Sequence, residues 1–358
     1  MTNEMQRRAA LAALVDGEGI THIAPPILLP ANPFFDVAGE EFGRRLVLTT
    51  SLEGVEYCMR PDFTLPIATA YLEGGDFGHP AAFGYLGPVF RQRAEGPTEF
   101  DQAGIELLSQ PDPDEALKRV FTFARSALEI YGVAPTVRLG SVAIFETILA
   151  AVDIPDVWRP RIRHRFGQPQ AMTRLLDRLA DPHGATAGSL PWKQDDLVSV
   201  ITDQMVAAGL SLTSSRAPEE IAERYFEKQQ LAAARVSAET ITLLRNYLAV
   251  RGDARTMVIS VEGIAEDQGI DISAPLQRLI QHIEELESSP NIGALEFDAG
   301  FSPRLDYYTG IVFEMKNANG TLVSGGEYDR LLQRLGADGQ VSACGCAVWI
   351  DRLEAEAN

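Results

Sequence analysis

Strand-type runs lie toward both ends of this chain of 358 residues, and one long block of helical apolar spacing separates them. A βαβ protein would alternate the two periodicities along its length, so this order predicts an α+β fold around an antiparallel sheet. Before the block, a helix is expected over residues 4–17 and a strand interrupted by Pro25 and Pro26 over 21–29. Short strands at 46–50 and 55–59 flank Glu53-Gly54, a hairpin signal. An apolar run at 65–72 follows Pro61-Asp62-Phe63-Thr64. Strands are expected at 82–90 and 103–108 around a loop holding Gly96-Pro97, then a helix capped by Asp114 and reaching about residue 131. A short strand at 137–140 closes the first part.

The block itself carries helical spacing at 144–152, 170–179, 197–208 and 238–250, with loops such as Asp181-Pro182-His183-Gly184 between. Strands return at 257–261, 293–298, 310–315 and 343–350, with a helix at 274–287. The expected organisation is one α+β domain in two parts, 1–140 and 252–358, around a mostly helical insertion at 141–251. No internal repeat and no low-complexity tract is present.

Composition closes off several functions. Hydrophobic content of 46% is enough for a packed core. No run approaches the roughly 18 apolar residues of a membrane span. The start, Met1-Thr2-Asn3-Glu4-Met5-Gln6-Arg7-Arg8, leads into an amphipathic helix rather than an apolar signal core. Cys58, Cys344 and Cys346 are an odd number without a CxxC pair, which argues against disulfide or zinc frameworks and for a reducing cytoplasm. His22, His79, His164, His183 and His282 are scattered without ligand spacing, so no metal site and no cofactor is expected. The net charge is −19 and the pI near 4.7. Nucleic-acid binding draws most of its affinity from Lys and Arg on phosphates, so a nucleic-acid partner is not expected.

Four motifs carry the chemistry. In Arg60-Pro61-Asp62-Phe63-Thr64, a carboxylate and a hydroxyl at a helix start can hold an ammonium group or simply cap the helix. In the segment from Phe90 to Leu108, Arg91 offers a planar fork to a carboxylate or phosphate. Gln102, Gly104 and Glu106 share one face of the returning strand. From Phe90 to Glu106 two arginines stand against four acids, Glu95, Glu99, Asp101 and Glu106, a poor cradle for a polyanion. Asp306-Tyr307-Tyr308-Thr309-Gly310 makes a polar opening to a buried strand. Strand alternation would point Tyr307 and Tyr308 to opposite faces, so only one enters a given pocket unless the backbone bends. Lastly, Gly325-Gly326 reads as a turn before a helix, and Cys344 and Cys346 read as small core residues of a buried strand.

Taken in order, these segments resemble the catalytic domain of histidyl-tRNA synthetase, a class II aminoacyl-tRNA synthetase, over about residues 5–354. The carriers are Pro26, Arg60 to Thr64, Phe90-Arg91, Gln102 to Glu106, Leu305 to Gly310 with Phe313-Glu314, Gly325 to Asp329, and Asp351-Arg352-Leu353. The resemblance implies an antiparallel sheet flanked by helices and a histidine pocket. By that correspondence Asp62 and Thr64 hold the ammonium group with help from Gln102, and Arg91 faces the carboxylate. Glu106 and Tyr308 bracket the imidazole nitrogens, with Tyr307 beside them. Asp62 stands where the synthetases carry the longer Glu, so that contact is re-spaced or water-bridged.

The departures touch the other substrates. Pro303 occupies the family's histidine-activating arginine position, with Arg304 displaced by one, and Arg93 replaces an acid in the second motif. Trp349 stands where a small glycine lets adenine pack, and Glu327 reverses a charge in the usual GGRYD. The chain ends six residues past Arg352, so no anticodon-binding domain is expected. Histidine recognition kept and adenylation lost resembles the synthetase paralogues that serve as regulatory subunits of ATP phosphoribosyltransferase, the first step of histidine biosynthesis. That resemblance implies a non-catalytic dimer, a short-form catalytic subunit as partner and free L-histidine as feedback effector. The alternative it leaves open is a minimal enzyme that adenylates histidine.

Overall fold

The computed structural model describes residues 3–38, 40–75, 78–94, 96–180, 194–208, 217–233, 236–303 and 307–357. Met1, Thr2, Glu95, the 181–184 loop with His183, and Arg304, Leu305 and Asp306 lie outside the described residues. The chain divides into two compact units, residues 1–148 with 247–358, and residues 149–246. Among the described residues the second unit is helical, built from Arg159–His164, Pro169–Ala180, Gln194–Ala207, Pro218–Ala233 and most of Ala238–Ala249.

Among the described residues the first unit holds twelve strands: β1 (Thr21–His22), β2 (Leu28–Pro30), β3 (Leu48–Thr50), β4 (Glu56–Met59), β5 (Ala81–Phe90), β6 (Glu99–Leu108), β7 (Thr136–Ser141), β8 (Arg251–Asp253), β9 (Leu295–Asp298), β10 (Ile311–Asn317), β11 (Gly320–Glu327) and β12 (Ala343–Trp349). Nine of them form one sheet in the order β1-β5-β6-β12-β11-β10-β7-β9-β8, and β2-β4-β3 form a small second sheet. The large sheet is mixed rather than purely antiparallel, because β1–β5 and β7–β9 pair in parallel. Its central strands are buried on both faces. In β6 every residue from Gln102 to Leu108 is buried, and such a strand needs cover on both sides. The helix Pro113–Ile130 covers one face, burying Leu117, Val120, Phe121 and Ala124 along a single stripe.

Several elements depart from expectation. The helix after β6 is capped by Asp112, which accepts from the N–H groups of Asp114 and Glu115, and Pro113 opens its first turn. Asp114 instead accepts from Arg278, at 2.7 Å from Nε. Residues 257–261, expected as a strand, lie in the helix Ala254–Glu266. Its cap is Asp253, bonded to the Thr256 N–H, and Ala254, Val258, Val261 and Ala265 bury at helical spacing. Gly325-Gly326, expected as a turn, is the interior of β11, where Gly325 faces Cys346 and Gly326 faces Gly345 across the ladder. Among the described residues no helix is long and apolar enough to cross a membrane.

Candidate functional site

The cavity is built on the middle of the large sheet, and pairing register decides what lines it. Glu106 of β6 stands between Phe83 of β5 and Gly345 of β12, and Gln102 stands between Gly87 and Trp349. Period-2 alternation turns Gln102, Gly104 and Glu106 to one face, with Gly345, Ala347 and Trp349 beside them on β12. Two of these positions tolerate no side chain. A Cβ on Gly345 would collide with the Glu106 carboxylate, and one on Gly104 with the Tyr85 phenol. The sheet floor is thus cut low where polar groups converge.

Around that floor close Asp62, Thr64, Tyr85, Arg91, Tyr307, Tyr308, Ser324, Tyr328 and Cys346, enclosing about 460 Å³ of space free of protein atoms, part of it open to solvent. All seven residues expected at the site line this one cavity: Asp62, Thr64, Arg91, Gln102, Glu106, Tyr307 and Tyr308. Both tyrosines enter it, against the alternation expected of a strand. They precede β10 rather than belonging to it, and the bend there leaves their ring centroids 5.2 Å apart. Tyr328 packs edge-on against Tyr307 at 5.7 Å. Tyr328, Tyr85, Ser324 and Trp349 were not foreseen as pocket walls. Ser324, Gly326 and Tyr328 alternate along the β11 direction, a period-2 signal that a turn assignment concealed.

Glu106 is 2% exposed. One of its oxygens accepts from the Thr64 hydroxyl at 2.6 Å and the other from the Tyr328 hydroxyl. Burial pushes this carboxyl up to about 8, although both hydrogen bonds pull it back down. Asp62 accepts from the Leu65 N–H at 3.3 Å, in the first turn of the helix Thr64–Glu73, whose cap position is Phe63. Burial raises its carboxyl too, opposed by the nearby Arg91 and Arg60. Arg60 itself is structural, bonding the Pro25 and Pro88 carbonyls over the Phe63 ring.

Two groups are left conspicuously open. Nη2 of Arg91 and Oε1 of Gln102 are buried polar atoms with no partner among the described residues. The Arg91 guanidinium is held by aromatic faces, 5.1 Å from the Phe100 ring centroid and 5.9 Å from that of Trp349. Burial lowers it to about 10. Unpaired buried groups of this kind cost about 1–3 kcal/mol each, and together they form a set a ligand carboxylate and ammonium would satisfy. Beside these groups, around Trp349, the protein packs its own side chains together. Arg352 lies with its guanidinium 5.2 Å from the Trp349 ring centroid and also bonds the Thr321 carbonyl. Arg93 pairs with Asp351 at 2.6 Å over the Phe100 ring. Glu327 is buried, accepting from the Ile311 N–H at 2.7 Å and from Arg278 at 2.8 Å. Among the described residues no group of three or more His, Cys, Asp or Glu is placed to hold a metal ion.

This fold and cavity have relatives. The histidyl-tRNA synthetase family model matches residues 1–183 and 197–353, and the chain belongs to that family. Crystal structures agree on the fold. One, of an ATP phosphoribosyltransferase regulatory subunit/histidyl-tRNA synthetase from Bacillus halodurans, superposes with a TM-score of 0.70 at 21% identity, covering 99% of this chain and 79% of that one. Another, of a histidine–tRNA ligase subunit from Alicyclobacillus acidocaldarius, has a TM-score of 0.60 at 19% identity over 99% of this chain and 92% of that one. Closer in sequence is the ATP phosphoribosyltransferase regulatory subunit of Rhizobium rhizogenes, 38% identical over 92% of this chain and 91% of that protein. That of Mesorhizobium japonicum is likewise 38% identical with the same coverage. Within the family, the chain stands among the ATP phosphoribosyltransferase regulatory subunits.

Proposed function

We propose that this chain is the subunit through which free L-histidine controls ATP phosphoribosyltransferase, with no chemistry of its own. The observation that carries the reading is the pair of buried, unpartnered polar atoms on Arg91 and Gln102, set in a cavity whose neighbouring seat over Arg352 is taken by an indole. Histidine needs an acceptor for its ammonium group, a fork donor for its carboxylate and polar contacts for its ring. Asp62, Thr64 and Gln102 take the first role, Arg91 the second, and Glu106 with Tyr308 the third, Tyr307 backing them. A pocket that pairs every polar group rejects analogues lacking one, because its own groups are then stranded.

The partner is a short-form catalytic subunit that binds the nucleotide and performs the transfer in the cytoplasm. Histidine inhibits by binding one state of the complex better than the other, since equal affinity would shift nothing. A second copy of this chain covers the small sheet, where Leu28 and Leu48, with Leu52 and Val55 between β3 and β4, are exposed apolar side chains. The acidic balance of −19 supports a reading without nucleic acid.

The test is reconstitution. Adding the chain to the short catalytic subunit raises phosphoribosyl-ATP formation, and L-histidine then reverses the gain with the parent but not with Arg91→Ala. No gain on mixing defeats the regulatory role. Robust histidine-dependent exchange of pyrophosphate into ATP by the chain alone would establish the adenylating enzyme instead.

A further inference from the structure

We infer that the cavity holds histidine with its ring as the doubly protonated imidazolium, Glu106 serving as its counter-ion and, near neutral pH, as the donor of the second proton. This rests on the histidine-pocket reading above and goes beyond it, because a neutral ring would fit the same space.

The charge inventory leads there. Asp62 faces Glu106 from the turn before the helix Thr64–Glu73 and adds a like charge. Around Glu106 stand Tyr85 of β5, Cys346 of β12, Tyr328 after β11, and Tyr308 with Tyr307 before β10, none of them cationic. Both Glu106 oxygens are bonded by hydroxyls, Thr64 and Tyr328, and among the described residues by no Lys, Arg or His. Among the described residues the cation lining the cavity is Arg91, and it acts, as Arg60 does, on Asp62. With both carboxyls ionised, Glu106 is therefore the one that no described cation meets. A buried charge persists only when paired. The empty cavity meets that condition by keeping Glu106 protonated, in line with its upward shift to about 8.

Histidine's ammonium and carboxylate cancel each other, so only its ring can supply the missing cation. On binding, the proton leaves a Glu106 oxygen for the free ring nitrogen, giving carboxylate and imidazolium with no net proton exchanged. The resulting pair is a charge-assisted hydrogen bond between two desolvated groups. Thr64 and Tyr328 act as positioning residues, each donating to one oxygen of the carboxylate. Selection then falls on basicity as well as shape, and a five-membered ring that cannot accept a proton is refused.

Histidine labelled with nitrogen-15 in its ring and bound to the unmodified chain at about pH 7.5 is expected to show a proton on both ring nitrogens. A bound ring with a single N–H overturns the inference. Calorimetry in buffers of different ionisation heat is expected to show almost no proton exchange near pH 7, and uptake approaching one proton near pH 9, where empty-cavity Glu106 is ionised. Release of about one proton near pH 7 overturns it as well. Glu106→Gln is expected to weaken histidine on the order of a hundredfold and to bring thiazolylalanine, whose ring is scarcely basic, within about tenfold of histidine. An undiminished preference for histidine in that variant contradicts the inference, and the labelling result on the parent stands even where the variant does not fold. If the parent binds no histidine at all, the pocket reading falls with it, whereas a bound neutral ring defeats the inference alone.

Discussion

Two adjoining stretches of the cavity wall, both meeting Trp349, are treated in opposite ways. In one, Arg91 and Gln102 keep buried polar atoms open, and Glu106 is held ready by two hydroxyls. In the other, Trp349 lies against Arg352, and Arg93 is tied to Asp351. The open stretch is a standing cost to the empty protein, since unpaired buried groups lose water without gaining a partner. The packed stretch makes most of its contacts internally, although Oδ1 of Asp351 is itself buried without a partner among the described residues. A fold loses a substrate most cheaply by letting its own side chains take that substrate's place, and it keeps a site only where a ligand offsets the cost.

That contrast can be broken residue by residue. The largest effect is expected from Arg91→Ala, which removes the ligand's buried ion partner, on the order of 3–5 kcal/mol or more than a hundredfold in histidine affinity. Because Nη2 lacks a partner in the empty protein, the same change should leave unliganded stability within about 1 kcal/mol, measured by urea unfolding. A large loss of both would make Arg91 a structural residue. Next comes pH. Glu106 has a folded value near 8 against an ordinary 4.5, so the folded state binds its proton more tightly. Its contribution is fully present below about pH 4.5 and fades as pH rises through about 8. The unliganded chain should therefore lose a few kcal/mol across that window from this group, and Glu106→Gln should flatten that part of the profile.

In the packed stretch the effects shrink. Trp349→Gly should cost about 2 kcal/mol of stability through lost packing and shift histidine affinity less than tenfold. It should also let ATP bind detectably, read by calorimetry. Arg93→Ala removes a partly exposed pair, worth less than about 1 kcal/mol, and should leave histidine binding unchanged.

How far the sequence reached follows the same division. The seven residues expected at the site do line one cavity, because motif order and period-2 spacing on β6 carry straight into the sheet. What the sequence concealed were choices settled by contacts distant along the chain. The run 257–261 is apolar enough for either element, and the Asp253 cap together with burial of Val258 and Val261 made it helix. Asp112 and Asp114 are both capping residues by type; Pro113 at the first helical position favoured Asp112, and Arg278 claimed Asp114. Gly325-Gly326 looked like a turn because its reason for lacking side chains, the closeness of β12, lies some twenty residues further on. The bend that brings Tyr307 and Tyr308 together follows Leu305 and Asp306, outside the described residues, and no local spacing announced it.

One titration bears most directly on the whole: the unmodified chain against L-histidine, repeated with ATP. Saturable binding of histidine, absent from Arg91→Ala, with no heat from ATP, is the expected result. Tight ATP binding by the parent, or histidine held equally well without the Arg91 guanidinium, would contradict it.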